Sequence, residues 1–240
     1  MSVLEWKKDD TVAIITMTNG ENRLNPIFNQ SMLDVLQEIE ADRTISAVVI
    51  LSNDPKCWSL GIDLNWIQEK MNEKDFPAMR GFLYGLNDLF KKILLYPIPV
   101  IACIGGHCVA GGAILACVCD FRFMRSDRGY FFFSEIDVNI PFLPGMIALV
   151  KRAVPYYKFN EMLLSGYRYG ASEMETHHVI QKACENEEEL MKETLAFAQT
   201  FKKNRGTFRE MKKRLHNEII EVFDKEDPAV IEPLALMAKD

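Results

Sequence analysis

Two rhythms of apolar and polar residues run along this chain. Thr11–Met17 (Thr-Val-Ala-Ile-Ile-Thr-Met) is apolar and β-branched, and Leu4-Glu5-Trp6-Lys7 alternates before it. With Asp9-Asp10 as a turn, the opening reads as a β-hairpin. Asn19-Gly20 then breaks the pattern, and beyond Pro26 the residues Met32, Leu36 and Ile39 recur at helical spacing. Val48–Leu51 reads as a short buried strand, followed by a long loop that carries Pro55 and ends near Gly61. A helix is predicted over Asp75–Leu95, with Phe82, Leu86, Leu89, Phe90 and Ile93 on one side and Pro97 and Pro99 ending it. Val100–Ile104 is another buried strand, Gly111-Gly112 opens an apolar helix through Ala116, and Phe121–Met124 is strand-like again. Strands alternating with helices predict an α/β core.

The pattern changes near residue 185. Glu185, Glu187, Glu188 and Glu189 precede two predicted helices, about 187–203 and 207–223, with Gly206 between them. Asp227-Pro228 opens a last short helix. The expected division is therefore a core over 1–185 and a helical C-terminal region over 186–240.

Composition narrows the class. Of 240 residues, 48% are hydrophobic and 26% charged, which excludes disordered, collagen-like and disulfide-stapled chains. A net charge of −6 argues against a surface made for nucleic acid or anionic membrane. No apolar run reaches the roughly 18 residues of a membrane span. The first residues turn charged too early for a signal peptide, and Ala238-Lys239-Asp240 is not a Ser-Lys-Leu tail, so a cytoplasmic protein is expected. The six cysteines form no C-x-x-C pair, and the four between 103 and 119 sit in apolar surroundings as small buried hydrophobes. None of the four histidines has metal-ligand spacing, so no metal is expected.

Three segments could carry chemistry. Gly105-Gly106-His107-Cys108-Val109-Ala110-Gly111-Gly112 joins a buried strand to an apolar helix. A helix N-terminus there could hold an anion or a developing oxyanion, and the run reads equally well as tight strand–helix packing. Its spacing is neither a dinucleotide fingerprint nor a P-loop. Ser59-Leu60-Gly61-Ile62-Asp63 is a turn into a helix, with Asp63 near its start. Phe131-Phe132-Phe133-Ser134-Glu135-Ile136-Asp137 sets acids directly after an apolar run, where a carboxylate would have a raised pKa, although an ordinary strand end would look the same. Arg23 is isolated and could meet a phosphate, whereas the basic residues from Lys202 to Arg214 read as a solvated helix face.

Taken in order, these segments resemble the enoyl-CoA hydratase/isomerase (crotonase) superfamily. Ser59–Leu64 resembles its first oxyanion-hole loop, Pro99-Val100-Ile101-Ala102 the lead-in to the next strand, and Gly106–Gly112 the second oxyanion-hole turn. Cys119-Asp120-Phe121-Arg122 resembles the family's C-D-x-R strand, and Leu163-Leu164-Ser165-Gly166 with Ala171 a later helix pair. The resemblance covers residues 3 to about 220. It implies a spiral core of repeated ββα units with a helical C-terminal trimerisation region, and a homotrimer or hexamer. It implies an acyl-CoA thioester as substrate, with coenzyme A part of that substrate and no separate cofactor. The N–H groups of Ile62 and Gly111 would form the oxyanion hole, and Arg23, Leu24, Ser59, Leu60, Gly61, Asp63 and Ile114 would contact substrate.

Departures from the family pattern choose among its reactions. Hydratases use two glutamates, and the first would stand where this chain has Ile114. Ile114 cannot move a proton. The second acid is kept as Glu135, in a segment that resembles those of Δ3,Δ2-enoyl-CoA isomerases, as does Arg23-Leu24-Asn25-Pro26. One carboxylate suffices for a 1,3-proton shift, so the resemblance implies such an isomerase with Glu135 as the catalytic group. Asp137 could share a face with Glu135 if the segment were extended, and Asn139 stands where the family usually has glycine. The alternatives are another crotonase-type reaction, as thioester hydrolase or weak hydratase, or a non-catalytic acyl-CoA-binding or RNA-binding member.

Overall fold

The computed structural model describes residues 2–237. Strands β1 (Leu4–Asp9) and β2 (Val12–Met17) form the expected hairpin, paired antiparallel from Leu4↔Met17 to Asp9↔Val12. Asp10 makes the turn at φ +51°, a left-handed conformation that aspartate tolerates well. Helix α1 (Pro26–Ala41) follows, with Pro26 in its first turn and the Asn25 side chain accepting from Phe28 N–H at 3.0 Å. Its buried face carries Met32, Leu36 and Ile39.

Three passes of strand–strand–helix come next. The first is β3 (Ala47–Ser52), β4 (Cys57–Ser59), α2 (Leu64–Glu73) and α3 (Phe76–Leu94). The second is β5 (Val100–Ile104), β6 (His107–Val109) and α4 (Gly111–Val118). The third is β7 (Phe121–Arg125), β8 (Phe131–Phe132) and α5 (Pro144–Ala153). The leading strand of each pass joins one sheet and the second strand joins another. The large sheet runs β1-β2-β3-β5-β7, with Ala13↔Val48, Val48↔Val100 and Ile101↔Phe121 in parallel register. The small sheet runs β4-β6-β8. This is the α/β spiral of ββα units that the resemblance implied.

Beyond α5 come α6 (Tyr156–Ser165), α7 (Ala171–Thr176) and β9 (Lys182–Cys184), which pairs with β7 and completes the large sheet. Helices α8 (Glu187–Gln199), α9 (Arg205–Lys225) and α10 (Asp227–Ile231) end the described chain. Gly206 is the second residue of α9 rather than a separator. The break lies at 200–204, where the Asn204 side chain caps α9 through Thr207 N–H at 2.9 Å.

The main core lies between one face of the large sheet and helices α1, α3, α4 and α5, closed by Phe223 of α9 and Ile231 of α10. The other face buries Val12, Ile14, Val49, Ile101 and Phe123 against Leu190 and Ala198 of α8. Strands covered on both sides have no polar face, which is why β2, β3 and β5 read as unbroken apolar runs. All six cysteines are buried and free, and burial pushes the Cys103 thiol up to about 12.

Candidate functional site

The first and second passes meet where β4 and β6 end. The backbone of Leu24 clamps the loop after β4: Leu24 N–H donates to Gly61 O at 2.8 Å and Asp63 N–H donates to Leu24 O at 2.9 Å. Ile62 lies between these two bonds, and among the described residues its N–H donates to no protein group. Gly61 holds φ +79°, as such a reversal requires.

The loop after β6 arrives from the other side. Ala110 sits at φ +53°, ψ −127°, a strained conformation for a residue with a Cβ. It turns the chain so that Gly111 N–H opens α4, and α4 has no side-chain cap. A Cβ at Gly111 would stand 3.3 Å from Ile62 N, so the two unpartnered N–H groups are neighbours. The partial positive charge of a helix N-terminus reinforces them.

Two cavities join at this point. One, of about 370 Å³, is walled by Arg23, Leu60, His107, Ser134 and Arg168 together with Ile62, Gly111 and Glu135. The other, of about 680 Å³, has walls from α2, α3, Ile114, residues 140–143 and 146, and the segment 233–237. Ile62, Leu64, Glu135 and Ile140 border both.

Glu135 is placed by the strand before it. Phe131 and Phe133 of that run are fully buried, and Phe133 packs edge-to-face on Phe142 at 5.3 Å between ring centres. The chain then turns tightly, with Val138 N–H donating to Glu135 O at 3.3 Å and Ile140 N–H donating to the same oxygen at 3.1 Å. Asn139 takes the left-handed conformation at φ +58°, which explains how it stands in a glycine's place. Glu135 Oε2 is buried and, among the described residues, has no hydrogen-bond partner. Burial pushes the carboxyl up to about 8, with the N–H groups of Glu135 and Ser134 pulling the other way.

Of the residues named from sequence, Arg23, Leu60, Ile62, Gly111, Ile114 and Glu135 border these cavities. Four do not. Leu24 is fully buried in the core beneath Gly111. Ser59 is buried, its hydroxyl donating to Asn22 O at 2.8 Å and accepting from Gly61 N–H at 3.3 Å. Gly61 shapes the turn from behind. Asp63 caps α2 through Trp66 N–H at 3.1 Å and accepts from the Asn25 amide at 3.2 Å. These residues hold the loop rather than line the cavities. Asp137 is also displaced from the expected position, because the segment turns instead of extending. Its N–H donates to Ser134 O at 3.1 Å and its carboxylate lies against Gly166.

Sequence reasoning missed Arg168 and the 233–237 segment. Arg168 stands 5.2 Å from the Phe132 ring centre, and both border the smaller cavity. No local pattern marks a lone arginine that reaches a site from another helix pair. Among the described residues, no group of three His, Cys, Asp or Glu side chains is placed to hold a metal, and no helix is long and apolar enough to cross a membrane. The basic stretch of α9 is a solvated face only in part, because three of its residues are bonded to other elements. Arg205 donates to the carbonyls of Glu40, Asp42 and Ile45 at 3.0 Å each, Arg209 pairs with Glu40, and Lys212 pairs with Asp120 at 2.9 Å.

Comparison with known proteins agrees with the fold. Enoyl-CoA delta isomerase 3 of Arabidopsis thaliana is 27% identical over 230 residues, covering 93% of this chain and 95% of its own. Enoyl-CoA delta isomerase 2, peroxisomal, of the same plant is 31% identical over 195 residues, covering 79% of each. An enoyl-CoA hydratase/isomerase family protein from Pseudomonas syringae superposes with a TM-score of 0.87 at 22% identity, over 96% of this chain and 97% of that one. An enoyl-CoA hydratase from Bacillus halodurans gives 0.86 at 20% identity, over 96% and 94%. The family described as enoyl-CoA hydratase/isomerase matches residues 7–226, and the chain belongs to that family.

Proposed function

We propose that the protein is a Δ3,Δ2-enoyl-CoA isomerase. The observation that carries this reading is Glu135, the one carboxyl among the described residues on a wall shared by the two cavities, with its Oε2 unpartnered, while the position a hydratase gives to its other glutamate is held by the buried Ile114. The delta-isomerase names of the Arabidopsis relatives support it.

In this reading the thioester oxygen of a 3-enoyl-CoA accepts from Ile62 N–H and Gly111 N–H. Glu135 takes a proton from C2, and the electron pair delocalises into a dienolate whose charge rests on that oxygen. Two fixed donors stabilise the charge as it forms, and losing one such donor typically costs about 10²–10³ in rate. The protonated Glu135 then returns the proton to C4, leaving the double bond between C2 and C3. The shift balances with one carboxyl acting first as base and then as acid. The apolar surroundings keep water from the intermediate and so suppress hydration. Coenzyme A enters as part of the substrate, and a homotrimer or hexamer is the assembly we expect.

The test is an assay with 3-hexenoyl-CoA followed by product identification. The expected product is trans-2-hexenoyl-CoA without 3-hydroxyacyl-CoA. Glu135→Gln should lower turnover by about 10²–10⁴ while thioester binding persists. Release of free CoA, or a fully active Glu135→Gln variant, would replace this reading with another crotonase-type reaction.

A further inference from the structure

The larger cavity has a composition unlike the smaller one. Of the described residues that wall it, only Glu135 is polar. Helix α2 borders it through Leu64, Ile67 and Met71, yet no residue of α2 is fully buried. The helix therefore turns Leu64, Ile67 and Met71 toward the cavity, while Trp66 anchors it to the core against Phe82 at 5.2 Å between ring centres. A space with apolar walls offers water no partners and takes an apolar guest.

The opposite wall is the segment 233–237, a strap held to α3 at its base. The Tyr84 hydroxyl donates to the Glu232 carboxylate at 2.6 Å, and Arg80 Nε donates to Glu232 O at 2.8 Å. Directly after this latch, Leu234 sits at φ +53°, a strained conformation for a bulky side chain. Leu234 N–H donates to Ile231 O at 3.0 Å, Ala235 N–H donates to Val230 O at 3.0 Å, and Leu234 borders the cavity. Strain of this kind persists only where the surroundings enforce it.

We propose that this cavity selects wholly apolar acyl tails of about eight or more carbons, with Leu234 on its latched strap as a specificity-determining residue. Size supports the length: at about 30 Å³ per water-sized group, the 680 Å³ available far exceeds what a butyryl tail fills. Continuity supports the occupant, since Glu135 and Ile62 border both this cavity and the smaller one. The proposal rests on reading the site as one for acyl thioesters and names the class of acyl group it takes.

The test is equilibrium binding of saturated butyryl-, octanoyl- and dodecanoyl-CoA by calorimetry, which requires no turnover. Affinity should rise about threefold to fourfold per added methylene up to octanoyl and beyond. Dodecanoyl-CoA bearing a terminal carboxylate should bind at least about tenfold more weakly than dodecanoyl-CoA, since a buried charge without a partner is costly. Ile67→Trp, which fills the cavity from the half-buried α2, should collapse the dodecanoyl-to-butyryl affinity ratio. Leu234→Gly should lower that ratio several-fold with only a small change in Tm, because the strain relieved by glycine offsets the packing that the half-buried side chain loses. Equal affinities along the series, an indifferent terminal carboxylate, or ratios unmoved in both variants would overturn the proposal. A protein that binds by chain length yet fails to isomerise 3-hexenoyl-CoA would refute the isomerase reading and leave this one standing.

Discussion

Gly61 and Gly111 touch across the two loops of the candidate oxyanion hole: a Cβ on Gly61 would stand 2.7 Å from Gly111 N and 2.9 Å from Val109 O. A methyl group there would collide with the Gly111 donor, the Val109 carbonyl and the Ala110 side chain, and so displace the turn that presents Gly111 N–H. Gly61→Ala should therefore lower turnover by at least about 10²-fold, the scale of losing one oxyanion donor. It should also destabilise the fold by about 1 kcal/mol or more, because φ is +79° at this position. Initial rates and thermal melts read the two effects separately, and an active Gly61→Ala would remove the hole from this place.

Glu135 should impose a rising pH profile. The proposed base is the carboxylate, and its carboxyl in the folded protein is pushed up to about 8. The kcat/KM for a 3-enoyl-CoA should climb about tenfold per pH unit below that value and level off above it. Flat kcat/KM between pH 6 and 9 would assign the proton transfer to another group.

The same carboxyl should couple folding to pH in the opposite sense. Its folded value lies above the ordinary 4.5, so between the two the unfolded chain is ionised and the folded protein holds the proton. Stability from this group is complete below about 4.5 and is lost as pH rises through about 8. Glu135→Gln removes that loss, so its Tm should gain on the parent by several degrees from pH 5 to pH 9. Equal Tm differences at both ends would contradict the burial of this carboxyl.

Ile114→Glu should convert part of the activity. The substitution places a second carboxyl in the cavity that Glu135 borders, which a water-adding reaction needs and a proton shift does not. 3-Hydroxyacyl-CoA should become detectable from trans-2-hexenoyl-CoA, isomerisation should slow, and stability should fall by about 1–3 kcal/mol because Ile114 is buried. Chromatographic product analysis distinguishes the outcomes.

Neighbouring lysines of α9 should behave differently. Lys212 is buried, pairs with Asp120 at 2.9 Å and donates to Ile93 O at 3.2 Å. Lys212→Ala leaves a carboxylate without its partner and should cost about 3–5 kcal/mol in a denaturation experiment. Lys213 is exposed and borders neither cavity that meets at Glu135. Lys213→Glu should leave stability within about 0.5 kcal/mol, and CoA affinity should not move either.

Long elements were legible because their signals repeat. The face of α3 built from Phe82, Leu86, Leu89, Phe90 and Ile93 is buried as its spacing predicts, and the apolar runs of β2, β3 and β5 are strands covered on both sides. Strands β4, β6, β8 and β9, of two or three residues each, carry no period: the first three fall in a loop, a glycine run and an apolar run ahead of acids, and β9 has no signal of its own. They exist because a neighbour supplies the pairing, as His107 does for Cys57. Glu135, Ile62 and Gly111 came from motif order, and the geometry joins them at one cavity. Leu24, Ser59 and Asp63 lie in the same motifs and instead hold the loop, a difference that depends on which way each side chain turns. Arg168 and the 233–237 strap reach the cavities through tertiary packing, and nothing in their own sequence announces it.

The two joined cavities draw their walls from Arg23 near one end of the chain to Met237 near the other. A ribosome working from N- to C-terminus therefore makes the 233–237 wall after every other described wall of the two cavities. A nascent chain that has already closed its sheet and placed Glu135 still has an open side facing water. Until Glu232 emerges and latches the strap to Tyr84 and Arg80, the partly made protein lacks this wall of the space proposed to hold an apolar tail. Ligand competence should thus appear abruptly once this strap docks, after the sheet and Glu135 are in place.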